Sequence, residues 1–264
     1  MEDSIAHAPG WDELPATARL WMTVAGVGLQ AASKQTRWLF QKELAGVNLI
    51  GCRLTQMDLS SSRFSAGHLA HADLRKANLE EARFDGAMLY HANFSWVQGR
   101  GADLRGALLE GADFTEAVLT NARLDGADLK RAIFNRAELD GASFQSARLL
   151  EAILESADLS GAQLAGAHLT GASLVMANLE GADLSQCVLK RCDFRGADLS
   201  GAKLDGALLE GARFGDQNDD ENGRPLASRL SEREAAPLPA KELLLSARFS
   251  SIVVNGVERT RESL

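Results

Sequence analysis

The chain has 264 residues with 28 Lys and Arg against 36 Asp and Glu, a net charge of -8, which argues against a general binder of nucleic-acid phosphates. Its three cysteines, an odd number, argue against a disulfide framework. No apolar run reaches membrane-spanning length: the best covers residues 20–32 and includes Thr23, Gly26, Gly28 and Gln30.

The Met1-Glu2-Asp3 start lacks the basic region of a secretory signal. A cytoplasmic protein with no membrane partner is the expectation. Within residues 1–41, Trp11-Asp12-Glu13-Leu14-Pro15 has the acids and proline of a helix entry. Leu20, Trp21, Val24, Val27 and Leu29, then Trp38, Leu39 and Phe40, supply an apolar surface. Three of the four tryptophans lie in this segment, which fits a buried contact. The expectation is a helical cap over whatever follows, with a separate partner-binding helix as the alternative.

From residue 42 to residue 214 the chain repeats every five residues. Leu44, Leu49, Leu54, Leu59, Phe64 and Leu69 begin a series of 35 positions that ends at Phe214; all are Leu or Phe except Gly99. Two residues before each stands a small residue. From Ala72 to Ala212, 26 of 29 are Ala, the exceptions being Val97, Cys187 and Cys192. In the first coils Val47, Cys52, Met57, Ser62 and Gly67 take that place, as terminal repeats are commonly atypical. A period of five fits neither the 3.6 of a helix nor the two of a strand. It fits a short extended segment and a corner, with the large residue and the Ala pointing inward by alternation and their neighbours pointing out. The second residue after each Leu or Phe is Gly in 16 of the chain's 24 glycines, a bias that a type II turn explains. Corners such as His71, Lys76, Glu81, Trp96 and Arg131 leave room for other turn types.

The motif as it stands in Ala102-Asp103-Leu104, Ala112-Asp113-Phe114, Ala157-Asp158-Leu159 and Ala182-Asp183-Leu184 resembles the pentapeptide-repeat family. The resemblance implies an all-β solenoid, a right-handed quadrilateral β-helix with four pentapeptides per coil, here nearly nine coils. Each coil then contacts only its neighbours, so the ends need caps.

Four per coil sorts the outward residues into faces. One face, cored by Leu residues from Leu49 to Leu209, shows Ile50, Met88, Tyr90, Leu108, Leu150, Val188 and Leu208, an apolar patch of the kind that soluble proteins use or cover. The opposite face shows Asp58, Glu80, Glu138, Asp140, Asp158, Glu180 and Asp198 against one base, Arg100. The other two faces mix both signs. Phenylalanines fall only on those two, as Phe64, Phe84 and Phe144 on one and Phe94, Phe114, Phe134, Phe194 and Phe214 on the other, and read as rings stacked coil on coil. One stretch departs from the pattern: Trp96, Gly99 and Arg100 mark a repeat break, read either as a bulge with Trp96 folded over the gap or as a grip on a partner.

No catalytic constellation emerges, and no cofactor or metal is expected. Cys187 and Cys192 occupy the small inward position, where Cys is a slightly larger Ala. His71 and His91, twenty residues apart, stack at one corner as a surface ladder with no further side-chain ligand beside them. The function expected is a non-catalytic protein–protein interaction scaffold. Its partner would be another protein, a second copy bound through the apolar face or the tail, or the chain's own flanks. The resemblance adds an alternative, since some members imitate the charge of B-form DNA and bind type II topoisomerases such as gyrase, giving protection from drugs or toxins. A weaker alternative is an accessory or effector component of a bacterial secretion system.

Residues 215–238 have the composition of a polar linker, opening with Gly215-Asp216-Gln217-Asn218-Asp219-Asp220. The tail, 239–264, carries Leu243-Leu244-Leu245 and then Ile252-Val253-Val254-Asn255-Gly256-Val257, an apolar run with an Asn-Gly turn signal. It is expected to be a cap, a dimer contact or a partner segment.

Overall fold

A computed structural model describes residues 43–214 and the backbone of two strands near the C-terminus. The expected N-terminal cap over residues 1–41 and the linker over residues 215–238 lie outside the described residues.

Residues 43–214 wind into a solenoid. The residue before each core Leu or Phe forms a parallel bridge with the residue twenty positions on, in an unbroken series from Glu43↔Arg63 to Asp193↔Arg213. Twenty residues make one coil, and five make one side of it. The Leu or Phe and the small residue two before it are buried along the whole described run, Ala207 being the one partly open position. Alternation within a five-residue side is the reason: those two residues share a direction, and the two flanking the Leu share the other.

In repeats with a described coil on both sides, four of the five backbone N–H groups are used in one way. In the repeat centred on Leu104, Leu104 donates to Arg123 O at 2.7 Å and Gly106 to Asp125 O at 2.9 Å, in the coil ahead. Asp103 donates to Ala82 O at 2.9 Å in the coil behind, and Ala107 closes the corner on Leu104 O at 3.1 Å. The fifth donor, on the residue after the Leu, has no backbone acceptor. A side chain supplies one wherever Asp or Asn precedes the Leu: Arg105 N reaches Asp103 Oδ1 at 3.3 Å, Thr115 N reaches Asp113 Oδ1 at 2.9 Å and Ser185 N reaches Asp183 Oδ1 at 3.0 Å. The Asp of the Ala-Asp-Leu motif therefore satisfies a donor that the coil geometry would leave to water.

Three of these acids do more. In Asp73-Leu74-Arg75, Asp103-Leu104-Arg105 and Asp193-Phe194-Arg195 the arginine folds back across the core residue and grips the carboxylate with two nitrogens, in the second case at 2.8 and 2.6 Å. Burial pushes the Asp103 carboxyl up, but the Arg105 side chain, its backbone N–H and its charge together hold it below the usual carboxylate range. The spacing Asp-x-Arg, with both ends outward on one face, was the available sequence signal for these clamps.

Every corner between residues 46 and 211 places the second residue after the Leu or Phe at positive φ. The values run from 53° at Ala66 to 75° at Gly171 and include His71, Lys76, Glu81, Trp96 and Arg131. The i to i+3 hydrogen bond, with positive φ at the third turn residue and not the second, is the type II pattern. The expectation of mixed corner types is thus corrected: the ladder on both sides of each corner enforces one turn whatever the side chain, so glycine is favoured there but not required.

In the core the phenylalanines stack. Phe94–Phe114 and Phe114–Phe134 have ring centroids 4.6 and 4.7 Å apart, the spacing of neighbouring strands. Phe84–Phe94 and Phe134–Phe144 meet edge to face across the axis, the geometry a ring quadrupole prefers.

Beyond the solenoid, β1 (Ser251–Val254) and β2 (Val257–Thr260) pair antiparallel, with Val254 opposite Val257. Only Asn255 and Gly256 lie between them, which accords with the Asn-Gly signal.

Gly126 sits at φ +66 with no atom within 4 Å of an added Cβ, so Gly126→Ala isolates the cost of the left-handed corner. It should lower stability by about 1 kcal/mol, read as a shifted urea midpoint with an unchanged slope. Asp103 contributes stability above its unfolded pKa that is lost as pH falls through its lower folded one. Below about pH 4 the wild-type thermal midpoint should therefore fall more steeply than that of Asp103→Asn.

Candidate functional site

The solenoid turns a one-dimensional pattern into columns. On the all-Leu face the residues before the core Leu form the bridged column His68, Met88, Leu108, Asp128, Arg148, His168, Val188, Leu208. The residues after it form a second column: Ile50, Ala70, Tyr90, Glu110, Lys130, Leu150, Thr170, Lys190, Glu210. Ile50 and Leu208, near the two ends, are 54% and 51% exposed. Met88, Tyr90, Leu108, Leu150 and Val188 are half-buried against their column neighbours. All seven expected residues lie on this face, but they do not form one patch. Ile50, Met88, Tyr90 and Leu108 gather toward one end, Val188 and Leu208 toward the other, and Leu150 stands alone between them.

Ion pairs fill the intervals. Lys130 Nζ lies 3.6 Å from Glu110, Arg148 3.5 Å from Asp128, and Lys190 Nζ 2.7 Å from Glu210. His168 Nε2 is 2.9 Å from Thr170 Oγ1. Each of these ion pairs joins adjacent coils, so its strength is that of an exposed pair and modest.

On the opposite face all seven expected acids are present, and among the described residues none forms an ion pair with Lys or Arg. They are not equivalent. Asp58, Asp158 and Asp198 accept the backbone N–H of Ser60, Ser160 and Ser200. Asp58 and Asp158 also accept from Asn78 and Asn178 one coil on, at 3.3 and 3.0 Å. Asp140 accepts from Thr120 Oγ1 at 2.8 Å. Glu80, Glu138 and Glu180 have no such duty. The sequence counts seven acids; the coil geometry commits four of them to its own hydrogen bonds.

The expected repeat break is corrected in one respect. No bulge interrupts the coil: Gly99 N donates to Val118 O at 2.7 Å, and Gln98 bridges both Asn78 and Val118. The missing side chain is replaced from the next coil. A Cβ on Gly99 would lie 2.9 Å from Leu119 Cδ2, so the Leu119 methyl already occupies the gap. Trp96 does not fold over it. Its indole, 43% exposed, runs along the corner, donating through Nε1 to Glu116 at 2.9 Å while Lys76 sits 5.7 Å from the ring. Arg136 continues the ladder, 3.3 Å from Glu116. Arg100 lies on the acidic face, exposed, and no contact among the described residues brings it to Trp96.

The same corner column carries an outward residue missed in the sequence reading. Met176 is 60% exposed, more than any apolar residue of the expected patch. The count of five places it at a corner, outside the flanking positions whose polarity defines the four faces. At the next corner column His71 and His91 stack with centroids 5.3 Å apart. Among the described residues no group of three His, Cys, Asp or Glu is placed to hold a metal. Cys187 and Cys192 are fully buried, with thiols pushed up to about 12 by desolvation and directed at the carbonyls of Leu164 and Leu169. They are unreactive packing residues.

A family model described as pentapeptide repeats matches residues 68–98, 100–136, 137–175 and 176–216, in eight copies. The chain belongs to the pentapeptide-repeat family. Among solved structures it is similar to HetL, a pentapeptide repeat protein involved in heterocyst differentiation regulation from the cyanobacterium Nostoc. The identity is 30%, covering 65% of this chain and 84% of HetL with a TM-score of 0.27. It is also similar to QnrB1, a plasmid-mediated fluoroquinolone resistance protein, at 20% identity over 75% of this chain and 92% of that one, TM-score 0.33. A pentapeptide repeat protein of the Arabidopsis thaliana thylakoid lumen matches at 27% identity over 38% of this chain and 79% of its own, TM-score 0.24. At these TM-scores the likeness carries no argument about partners. No match was found among curated proteins.

Because Leu119 fills the space at Gly99, restoring the motif there should overpack it. Gly99→Leu is expected to lower the stability of this pentapeptide-repeat protein by about 1–3 kcal/mol in urea. Combined with Leu119→Ala, the loss should shrink.

Proposed function

We propose that this pentapeptide-repeat protein is a non-catalytic interaction scaffold that binds a protein through its all-Leu face. The observation that carries the reading is the juxtaposition of Met88, Tyr90 and Leu108 on adjacent coils of a flat, rigid surface. Their backbones are held by a ladder that costs no reordering on binding, and aromatic and Met side chains are those that interface cores favour. No convergent nucleophile, base or metal set competes with it among the described residues.

The acidic face supports a second reading, a type II topoisomerase as partner through charge mimicry of DNA. Its favourable feature is a face with seven acids and one base. Its cost is that Asp58, Asp140, Asp158 and Asp198 are engaged by the coil itself, so the freely presented charge is that of Glu80, Glu138 and Glu180.

The two readings separate in one experiment. Tagged wild type is used for affinity capture from the lysate of the source organism, beside Tyr90→Asp/Leu108→Asp and beside Glu80→Gln/Glu138→Gln/Glu180→Gln. Loss of the captured protein with the first variant alone is the expected outcome. Loss of topoisomerase subunits with the second alone would overturn the scaffold reading in favour of charge mimicry.

A further inference from the structure

We infer that the partner of the all-Leu face is a second copy of this chain, bound antiparallel about a two-fold axis that passes through Arg148 and Leu150. This rests on the proposal that the face is a binding surface, and it names the occupant. The basis is a symmetry in the two columns that neither an expected cap nor an unrelated partner would require.

An isologous contact demands that a residue above the axis fit one equally far below it, in the same column. Counting coils outward from Arg148 and Leu150, Asp128 is set against His168 of the second copy and Lys130 against Thr170. One coil further, Leu108 meets Val188 while Glu110 meets Lys190. At the third coil Met88 meets Leu208, and Tyr90, with its hydroxyl, meets Glu210. Leu150 meets itself. Apolar residues fall on apolar ones, and the acids at Glu110 and Asp128 fall on the base Lys190 and on His168. The two apolar groups at opposite ends of the face, which fail to form one patch on a single copy, become two continuous patches across the pair. Arg148 also meets itself, but its guanidinium is held by Asp128 at 3.5 Å. The Glu110–Lys130 and Lys190–Glu210 pairs join into longer alternating chains of charge.

Other registers fail on the same columns. An axis one coil nearer the N-terminus sets Leu108 against Arg148 and Met88 against His168. An axis one coil toward the C-terminus sets Arg148 against Val188. A parallel pairing places the two columns of one coil against each other, so that Leu108 faces Glu110 and Val188 faces Lys190. Of these registers, the one centred on Leu150 sets Met88, Leu108 and Leu150 against apolar residues and, apart from Arg148 on the axis, sets the acids Glu110 and Asp128 against Lys190 and His168.

The surface is small. Seven coils rise roughly 34 Å, and one side of a coil spans roughly 11 Å, about half of the ~800 Å² per partner in a standard interface. The dimer is therefore weak and concentration-dependent, as fits an assembly with few anchors. It leaves both acidic faces pointing outward, one on each side of the pair.

Sedimentation equilibrium of the full chain from on the order of 10 to 500 μM tests it, in the concentration range a small interface requires. Wild type should pass from monomer to dimer. Leu150→Asp, which places two carboxylates on the axis, and Glu110→Lys, which faces Lys190, should each weaken dimerisation at least tenfold. Glu110→Lys/Lys130→Glu/Lys190→Glu/Glu210→Lys should restore it, because the pairs across the interface are then reversed while the neighbouring pairs within each copy stay opposite in sign, and that rescue excludes misfolding as the cause. As a second readout, Leu150→Cys should crosslink to itself under mild oxidation, since Cys187 and Cys192 are fully buried and Cys52 nearly so. A monomer at every concentration overturns the inference. So does a dimer indifferent to Leu150→Asp and to Glu110→Lys alone. If the chain is monomeric while Tyr90→Asp/Leu108→Asp still abolishes capture of a different protein, the face is a binding surface and only its assignment to a second copy has failed.

Discussion

The hydrogen bond from each core residue to the carbonyl nineteen positions ahead is the interaction on which the rest of this molecule depends. It sets the coil at twenty residues, and with that number every side chain acquires a column. Leu stacks on Leu, Phe on Phe at the spacing of strands, and Trp96 lies between Lys76 and Glu116 because each is one coil from the next. A register this strict tolerates the loss of a core side chain more readily than the loss of a residue. Gly99 shows as much: the ladder continues through it, and Leu119 takes up the space.

The same geometry explains why acids abound along this solenoid. One backbone N–H per repeat points outward without a partner, and the residue two before it is placed to accept. Asp and Asn meet that need, and where Arg follows the core residue it returns to clamp the carboxylate. An acidic count along such a protein therefore mixes two populations. Those at the position before the core residue are first of all part of the fold. On the acidic face the charge not engaged by the coil is that of Glu80, Glu138 and Glu180, whereas Glu110, Glu116, Glu151 and Glu210 elsewhere are paired with Lys or Arg one coil away. The distinction matters for any comparison with DNA, whose phosphates are all presented outward.

A flat face stiffened by a continuous ladder is a surface on which register can be read. A partner of the kind proposed would need to induce no shape in it, and specificity would then reside in the order of side chains along two columns. The near-palindrome about Leu150 has meaning only because the rise per coil is constant, so that equal sequence separations become equal distances on both sides of an axis.

Much of this was legible in the sequence. The period of five, the Leu and Ala at their phases, the glycine bias at the corner and the Asn-Gly between β1 and β2 are each local consequences of steric or conformational preference, and such preferences act on neighbouring residues. The membership of each face followed from them by counting. What the count could not reach was whatever depends on where a side chain goes after leaving the backbone. Trp96 turns along the corner and not over Gly99; all the corners, glycine or not, share one turn; four of seven acids bend back to the coil; and ion pairs divide the apolar face. These were decided by the tertiary structure: Trp96, Asp140 and the ion pairs meet atoms twenty residues away in the chain and one strand spacing away in space, while the corners and the other three acids take the local geometry that the ladder between coils imposes.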